Sequence, residues 1–108
     1  MNNDLNNYLE YNLDYIFEDE KKQNMIHIRI QQRNAKKTIT TVEGLDTSID
    51  IKKLIKYIKK IFNCNGSIIK MDDNIDIIQL QGDQRENMKK FLIKENIIAE
   101  DFIKIHGF

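Results

Sequence analysis

Strict alternation of apolar and polar residues is the clearest pattern in the chain, and it begins at Ile26. Residues 26–32 follow a period of two, which is typical of a strand with one buried face. The apolar face would hold Ile26, Ile28 and Ile30, and the polar face His27, Arg29 and Gln31. Residues 38–43 are rich in β-branched side chains, which favours a second strand. The pattern therefore predicts a hairpin at the start of the folded domain.

The spacing then changes to three and four residues, which predicts a first helix over residues 50–62. Its apolar stripe consists of Ile51, Leu54, Ile55, Ile58, Ile61 and Phe62. Thr47 and Asp50 stand at the spacing of a capping box before this helix. Asn65 and Gly66 form a helix-stop and turn signal after it.

The second half of the chain repeats the strand, strand and helix order. Strands are predicted over 67–71 and 75–81, followed by a turn in which Asp83 would cap a helix over 84–95. That helix would bury Met88, Phe91 and Leu92, and residues 102–105 would form a last short strand. The order ββαββαβ predicts an α+β fold, a two-layer α/β sandwich with a mixed sheet of about five strands and two helices on one face.

Residues 1–24 differ from the rest, because they are rich in Asn and in acidic residues. This composition predicts a mostly disordered tail before a domain spanning 25–108. The apolar residues of the tail nevertheless recur at helical spacing: Leu5, Tyr8, Leu9, Leu13, Ile16 and Phe17. Two interpretations stay open, a helix that is transient or packs on its own domain, and an acidic segment that folds on a partner protein.

Charge is distributed unevenly although the formal net charge is zero. The first 25 residues hold six carboxylates and two lysines, a net charge of −4, and residues 26–108 carry +4. An acidic tail on a basic domain recurs among nucleic-acid binders. With 108 residues, the chain has room for one small domain with one core.

The residues that usually carry catalysis are scarce. His27 and His106 have no ligand partners at metal-binding spacing, and the strand pattern predicts that His27 is exposed. Cys64 is the only cysteine and is predicted to be a small buried thiol, which suits a reducing, cytoplasmic location. Neither a Gly-rich phosphate loop, a signal peptide nor a membrane-spanning run is visible. The sequence therefore predicts no enzyme, no metal, no cofactor and no membrane association.

Cations cluster in two places that predict contact with nucleic acid. The hairpin tip holds Arg33, Asn34, Lys36 and Lys37 without a carboxylate, which suits a phosphate backbone. The first helix gathers its lysines within an arc of about 120°; they are Lys52, Lys53, Lys56, Lys59 and Lys60. Solvated helix faces usually mix signs. A solvated turn and a solvated helix face are the alternatives on spacing alone.

From about residue 25 onward, the chain resembles the eukaryotic translation initiation factor one family. The segments that carry the resemblance are Ile28–Asn34, Lys37–Gly44, Lys52–Leu54, Phe62–Gly66, Ile78–Arg85 and His106–Phe108. They occur in the family's order and without obvious gaps. The run Gln79-Leu80-Gln81-Gly82-Asp83-Gln84-Arg85 is the most specific of them.

The resemblance implies a monomeric factor that binds the small ribosomal subunit near the decoding site and works with other initiation factors. The basic tip and the lysines of the first helix would contact ribosomal RNA. The second hairpin loop, Met71, Asp72, Asp73 and Asn74, would approach the initiator tRNA. Gly82, Asp83 and Gln84 would form a structural turn. The factor would oppose full seating of the tRNA until a correct start codon is paired, which promotes scanning and fidelity.

Two residues depart from the family pattern, because Ala35 and Ile75 stand where glycine is usual. If the glycine at the first position has a positive φ, Ala35 would be strained by roughly 1 kcal/mol. The heavy use of Ile, Lys and Asn is typical of an A/T-rich genome. It leaves open a parasite- or virus-encoded homologue that modulates host initiation. A general RNA-binding or protein-binding module with the same fold is the remaining alternative.

Overall fold

The computed structural model describes residues 25–72 and 75–107, so the predicted tail over residues 1–24 lies outside it. The strands are β1 (Ile26–Asn34), β2 (Lys37–Glu43), β3 (Gly66–Asp72), β4 (Ile75–Gln81) and β5 (Ile103–Ile105). The helices are α1 (Ile51–Phe62) and α2 (Arg85–Lys94), with a 3-10 turn at Glu100–Phe102. This order confirms the predicted ββαββαβ arrangement.

The strands form one mixed sheet in the order β3-β4-β2-β1-β5. β5 lies parallel to β1, and the other neighbours are antiparallel. Across the centre, Ile28 pairs with Val42 and Val42 with Ile78, and all three side chains are fully buried. The same buried cluster contains side chains of both helices: Ile55, Ile58, Met88, Phe91 and Leu92. Both helices therefore cover one face of the sheet, which confirms the two-layer prediction.

The bounds of α1 agree with the prediction to within one residue, but its capping residues differ. Asp50 alone caps the first turn, since its carboxylate accepts a hydrogen bond from the Lys53 N–H at 3.3 Å. At the other end, Asn63 adopts the left-handed conformation and its N–H bonds to the Lys59 carbonyl. Asn tolerates this conformation and so ends the helix before the predicted stop. Gly66 instead opens β3, where a Cβ would lie 2.8 Å from Cδ2 of Leu80.

The predicted cap of α2, Asp83, is present, although the helix itself begins at Arg85 and not at Gln84. Gln84 is the residue that precedes the helix, and it makes no side-chain capping bond. The Asp83 carboxylate accepts from the backbone N–H of Arg85 at 3.2 Å and from its Nε at 2.9 Å. The guanidinium of Arg85 thus holds the carboxylate to one side, where it meets only the first N–H of the helix.

Candidate nucleic-acid interface

The basic hairpin tip is a tight turn built by Asn34. Asn34 faces Lys37 across the hairpin, which leaves Ala35 and Lys36 as the turn. The Asn34 side-chain oxygen accepts from the N–H of Lys36 at 2.9 Å and from that of Lys37 at 3.0 Å. These bonds fix the turn through the side chain of an Asx motif. The strands therefore continue further into the tip than the sequence predicts.

The strain expected at Ala35 is absent. Among the described residues other than glycine, only Asn63 and Asn96 have a positive φ. Ala35 therefore has an ordinary φ, because the Asn34 side chain closes the turn without left-handed backbone. Ile75 likewise lies in β4 with an ordinary φ. The two departures from glycine are accommodated in this backbone.

The cations of the tip are exposed and available to an anion. Arg33, Lys36 and Lys37 all lie on the surface. Ion pairs within the described residues join Arg29 to Glu43, Arg85 to Asp83 and Lys89 to Glu100. None of the tip cations takes part in these pairs, so phosphate would not have to displace a carboxylate from them.

The lysines of α1 are exposed along the whole helix, but only part of them lies near the tip. The chain leaves α1 through Asn65 and Gly66, which line a cavity together with Arg33. The end of α1 that carries Lys59 and Lys60 therefore lies toward the same end of the sheet as the basic tip. Lys52 lines a different cavity with Lys70 and Asp76. The beginning of the helix lies roughly 18 Å away along its axis.

The second hairpin loop lies at the opposite end of the sheet. Pairing of Ile39 with Gln81 places the end of β4 beside the tip, whereas the beginning of β4 lies beyond Val42. Met71 and Ile75 are exposed there, by 66% and 44% respectively. A bulge interrupts the pairing between Lys70 and Asp72. Asp73 and Asn74, also predicted for this loop, lie outside the described residues.

A buried hydroxyl that the sequence analysis did not single out anchors the turn between β4 and α2. Thr40 Oγ1 donates to the Gly82 carbonyl at 2.7 Å and accepts from the Gln84 N–H at 2.8 Å. The Gly82 N–H bonds in turn to the Thr38 carbonyl at 2.8 Å, and Gly82 has a φ of 83°. In the sequence, the only signal of this role is that Thr40, a polar residue, occupies a position on the core face of β2.

Asp83 and Arg85 extend this anchor to the last strand. Their side chains form a two-point ion pair, with Arg85 Nη2 donating to Asp83 Oδ2 at 2.8 Å. The hydrogen bonds from Arg85 lower the pKa of Asp83 below its ordinary value. Arg85 Nη1 also donates to the His106 carbonyl at 3.4 Å. The turn is thereby tied to both β2 and the residue that follows β5.

The two histidines, which are 79 positions apart in the sequence, lie together. His27 Nδ1 and His106 Nε2 are 3.0 Å apart and the ring centroids 5.2 Å apart, so the rings meet almost tip to tip. His27 is half-buried rather than exposed. Partial burial lowers the pKa of His106, and the charges of Arg29, His27 and Lys104 add to this effect. Only the parallel pairing of β1 with β5 reveals this contact.

The remaining candidates for chemistry are few. Cys64 is half-buried, less than predicted, and burial raises the pKa of its thiol although nearby Lys59 lowers it. A raised pKa keeps the sulfur protonated and poorly nucleophilic. Within residues 25–72 and 75–107, no three His, Cys, Asp or Glu side chains gather as a metal site. No helix in these ranges is long and apolar enough to cross a membrane.

Comparison with known proteins identifies the family of this chain. A family model described as "Translation initiation factor SUI1" matches residues 22–98. The chain belongs to the SUI1 family. The match contains both hairpins and both helices, so it covers four of the five strands, the tip and the turn described above. This confirms the resemblance found in the sequence, and it gives the protein a role in translation initiation.

Individual SUI1-family relatives agree. "Protein translation factor SUI1" of Eremothecium gossypii is 50% identical over 91 residues, which cover 84% of each chain. Human "Eukaryotic translation initiation factor 1" is 52% identical over 83 residues, 77% of this chain and 74% of the human one. The C-terminal domain of human eIF2D superposes with a TM-score of 0.67 over 77% of this chain and 43% of that chain. At 19% identity, that likeness supports the fold alone.

Proposed function

We propose that this SUI1-family protein binds the small ribosomal subunit near the decoding site and enforces start-codon choice without catalysing a reaction. The observation that carries the proposal is the hairpin tip, where Asn34 holds exposed and unpaired cations on a tight turn. A fixed cluster of cations binds the RNA phosphate backbone with little loss of conformational entropy. Lys59 and Lys60, which are exposed in the last turn of α1, would add to this contact.

In the proposed mechanism, the second hairpin loop discriminates between correct and incorrect start codons. It presents Met71 and Asp72 at the end of the sheet opposite the basic tip. A protein anchored by its tip would therefore hold an exposed, acidic loop away from the anchor. Near initiator tRNA, that loop would repel the phosphate backbone and oppose full seating of the tRNA. Only a fully paired start codon would overcome this opposition and displace the factor.

The proposal includes a cytoplasmic location, a monomeric factor, no cofactor, and other initiation factors as partners. The surface left for these partners includes the open face of the sheet, on which Ile69 is 37% exposed. The energetic basis is competition for one position on the ribosome. Coupling of about 1–3 kcal/mol between factor and tRNA suffices to change occupancy by one to two orders of magnitude.

Co-sedimentation with purified small ribosomal subunits tests the proposal. We expect the wild type to bind and Lys36→Glu/Lys37→Glu to lose binding. The matched control is Lys90→Glu/Lys94→Glu, which makes the same charge change at exposed positions of α2. Equal losses in both variants would indicate a general charge effect and contradict the assignment to the tip. No binding by the wild type would contradict the proposed function itself.

A salt series measures how many phosphates are contacted. If about five cations bind phosphates, the logarithm of the affinity should fall by roughly four for each tenfold rise in salt. We expect Lys36→Glu/Lys37→Glu to give a shallower slope, whereas the α2 control keeps the wild-type slope. A wild-type affinity that does not depend on salt would rule out phosphate as the anchor.

A further inference from the structure

Two adjoining cavities form a groove beside the hairpin tip, at the edge of the sheet face that the helices leave open. The first has a volume of about 640 Å³ and extends from the tip to Gly82. The second has a volume of about 290 Å³ and extends across β4 to the beginning of β3. Both are lined by Arg33, Ile39 and Gln81, so they are continuous. We name their union the Gln81 groove.

The Gln81 groove is chemically divided. Its first end is lined by the tip cations Arg33, Lys36 and Lys37. Its second end is lined by uncharged polar side chains, those of Asn65, Ser67, Gln79 and Gln81. No carboxylate lines either cavity. The groove therefore offers an anion site at one end and an array of neutral donors and acceptors at the other.

The polar side chains at the second end are free to bind a ligand. None of the side chains of Asn65, Ser67, Gln79 and Gln81 hydrogen-bonds to another residue in the described part of the chain. Each side-chain amide carries two N–H donors and an oxygen acceptor. This is the pattern that matches the hydrogen-bonding edge of a nucleobase, whereas a phosphate presents acceptors only.

The walls of the groove also suit a flat ring. Ile39 lies directly opposite Gln81 in the β2–β4 pairing and gives the centre of the groove an apolar surface. The guanidinium of Arg33 is planar and can stack on a base. Strand pairing holds Ile39 and Gln81 in register, so the groove exists before a ligand arrives.

We propose that the Gln81 groove receives one unstacked RNA nucleotide. Its phosphate would lie against the tip cations and its base would lie between Arg33 and Ile39, with its edge toward Gln79 and Gln81. This inference rests on the proposed function, because it specifies what the tip would recognise in ribosomal RNA. It adds base recognition to contacts that would otherwise be blind to sequence.

Chemical-shift mapping with short RNA tests the groove directly. The probes are single-stranded RNA hexamers and inorganic tripolyphosphate, added separately to the full-length protein. We expect both probes to shift the backbone amides of residues 33–37. Only the hexamers should shift the side-chain NH₂ signals of Gln79 and Gln81. Identical responses to both probes would overturn the proposal.

Affinity for small subunits gives a second and independent readout. We expect Gln81→Ala to weaken binding by roughly tenfold, since a lost base contact has effects of this size. The salt slope should stay at the wild-type value, because no charge is removed. Gln32→Ala is the matched control, since Gln32 is exposed on β1 and lines neither cavity. Wild-type affinity in Gln81→Ala would overturn the proposal.

The two experiments separate this inference from the proposed function. If the wild type fails to bind small subunits but the hexamers shift Gln79 and Gln81, the proposed function fails and the groove remains an RNA site. If subunit binding depends on Lys36 and Lys37 but not on Gln81, the proposed function remains and the groove is excluded.

Discussion

At the scale of single residues, Thr40 shows how one buried hydroxyl positions a turn. Its oxygen is shared between the carbonyl of Gly82 and the N–H of Gln84, so it satisfies both groups where the chain leaves the sheet. Thr40 itself is fully buried between apolar residues of the core. The orientation of α2 therefore depends on a hydrogen-bonding group inside the apolar face of β2.

We expect Thr40→Val to lower the free energy of unfolding by about 1–3 kcal/mol, because the buried N–H of Gln84 loses its acceptor while the shape is conserved. Urea denaturation measures the loss. Thr41→Val is the control, since Thr41 is half-buried on the other face and its hydroxyl bonds to no described residue. That variant should stay within about 0.5 kcal/mol of the wild type. Equal effects in the two variants would contradict this role for Thr40.

The partial burial of His106 beside Arg29 makes stability depend on pH. The folded state lowers the pKa of His106 below the ordinary 6.5, so it disfavours the charged ring. The unfolded chain then binds the proton more readily, and stability falls as pH falls. The stability that neutral His106 adds to the folded state is fully present above pH 6.5. It is lost progressively as the pH falls through the lowered pKa of His106 in the folded state.

Urea unfolding at pH 7.5 and 5.5 tests this contribution. We expect the wild type to lose more stability between these values than His106→Gln, which keeps a polar side chain without titrating. Carboxylates such as Asp83 contribute equally to both proteins and cancel in the comparison. Parallel pH profiles in the two proteins would show that His106 has no part in the dependence.

At the scale of elements, close backbone approach decides where strands can begin and end. Gly44 follows β2 with a φ of 98°, and a Cβ there would lie 2.2 Å from the Met25 carbonyl oxygen. The beginning of β1 and the end of β2 can therefore meet only because Gly44 has no side chain. Gly107, by contrast, has nothing within 4 Å of the position of a Cβ.

We expect Gly44→Ala to destabilise the fold by about 2 kcal/mol or more, because it combines a backbone clash with a positive φ. Gly107→Ala is the matched control and should leave the midpoint of thermal unfolding unchanged. Melting curves followed by circular dichroism measure both variants. A Gly44→Ala protein as stable as the wild type would show that the ends of β1 and β2 separate at little cost.

Local periodicity was sufficient to predict the elements, but not what lies between them. The alternation from Ile26 to Ile30 and the stripe of α1 were visible because each concerns residues a few positions apart. The contact of His27 with His106 depends on the parallel pairing of β5 with β1, which no local pattern encodes. The cap Asp83 was visible at the start of α2, whereas its ion pair with Arg85 depends on side-chain geometry that no local pattern shows.

The candidate site likewise has one part that the sequence predicts and one part that only the fold shows. The cations of the tip were visible as a cluster in the sequence, whereas the groove beside them joins residues of β1, β2, β3 and β4. Gln81 meets Ile39 only through the register of the β2–β4 pairing. Residue type therefore predicted an exposed cluster of cations, and only the sheet showed the groove next to it.

At the scale of the whole molecule, the charge is distributed unevenly along the chain. Residues 26–108 carry a net charge of +4, and the first 25 residues carry −4. The tail therefore cancels the field that would attract RNA to the domain. Long-range attraction of this kind changes association rates more than dissociation rates.

We expect removal of residues 1–24 to speed association with small subunits at low salt and to have little effect at high salt, where charges are screened. Stopped-flow fluorescence measures both conditions. A start-codon assay in a factor-depleted extract gives the second readout, in which the shortened protein should restore stringency like the wild type. A loss of stringency would instead assign the tail a partner and favour a modulating role.

The order of strands in the sheet also bears on how the protein folds. The β1–β2 and β3–β4 hairpins each join neighbouring segments, and such hairpins form within microseconds. Within the sheet, the two are joined by the ladder between residues 39–42 and 78–81, which must close a loop that contains α1 and β3. Closing that loop costs entropy before any contact is gained. The rate-limiting event of folding is therefore expected to be the meeting of two preformed halves, along the same ladder that aligns Ile39 with Gln81.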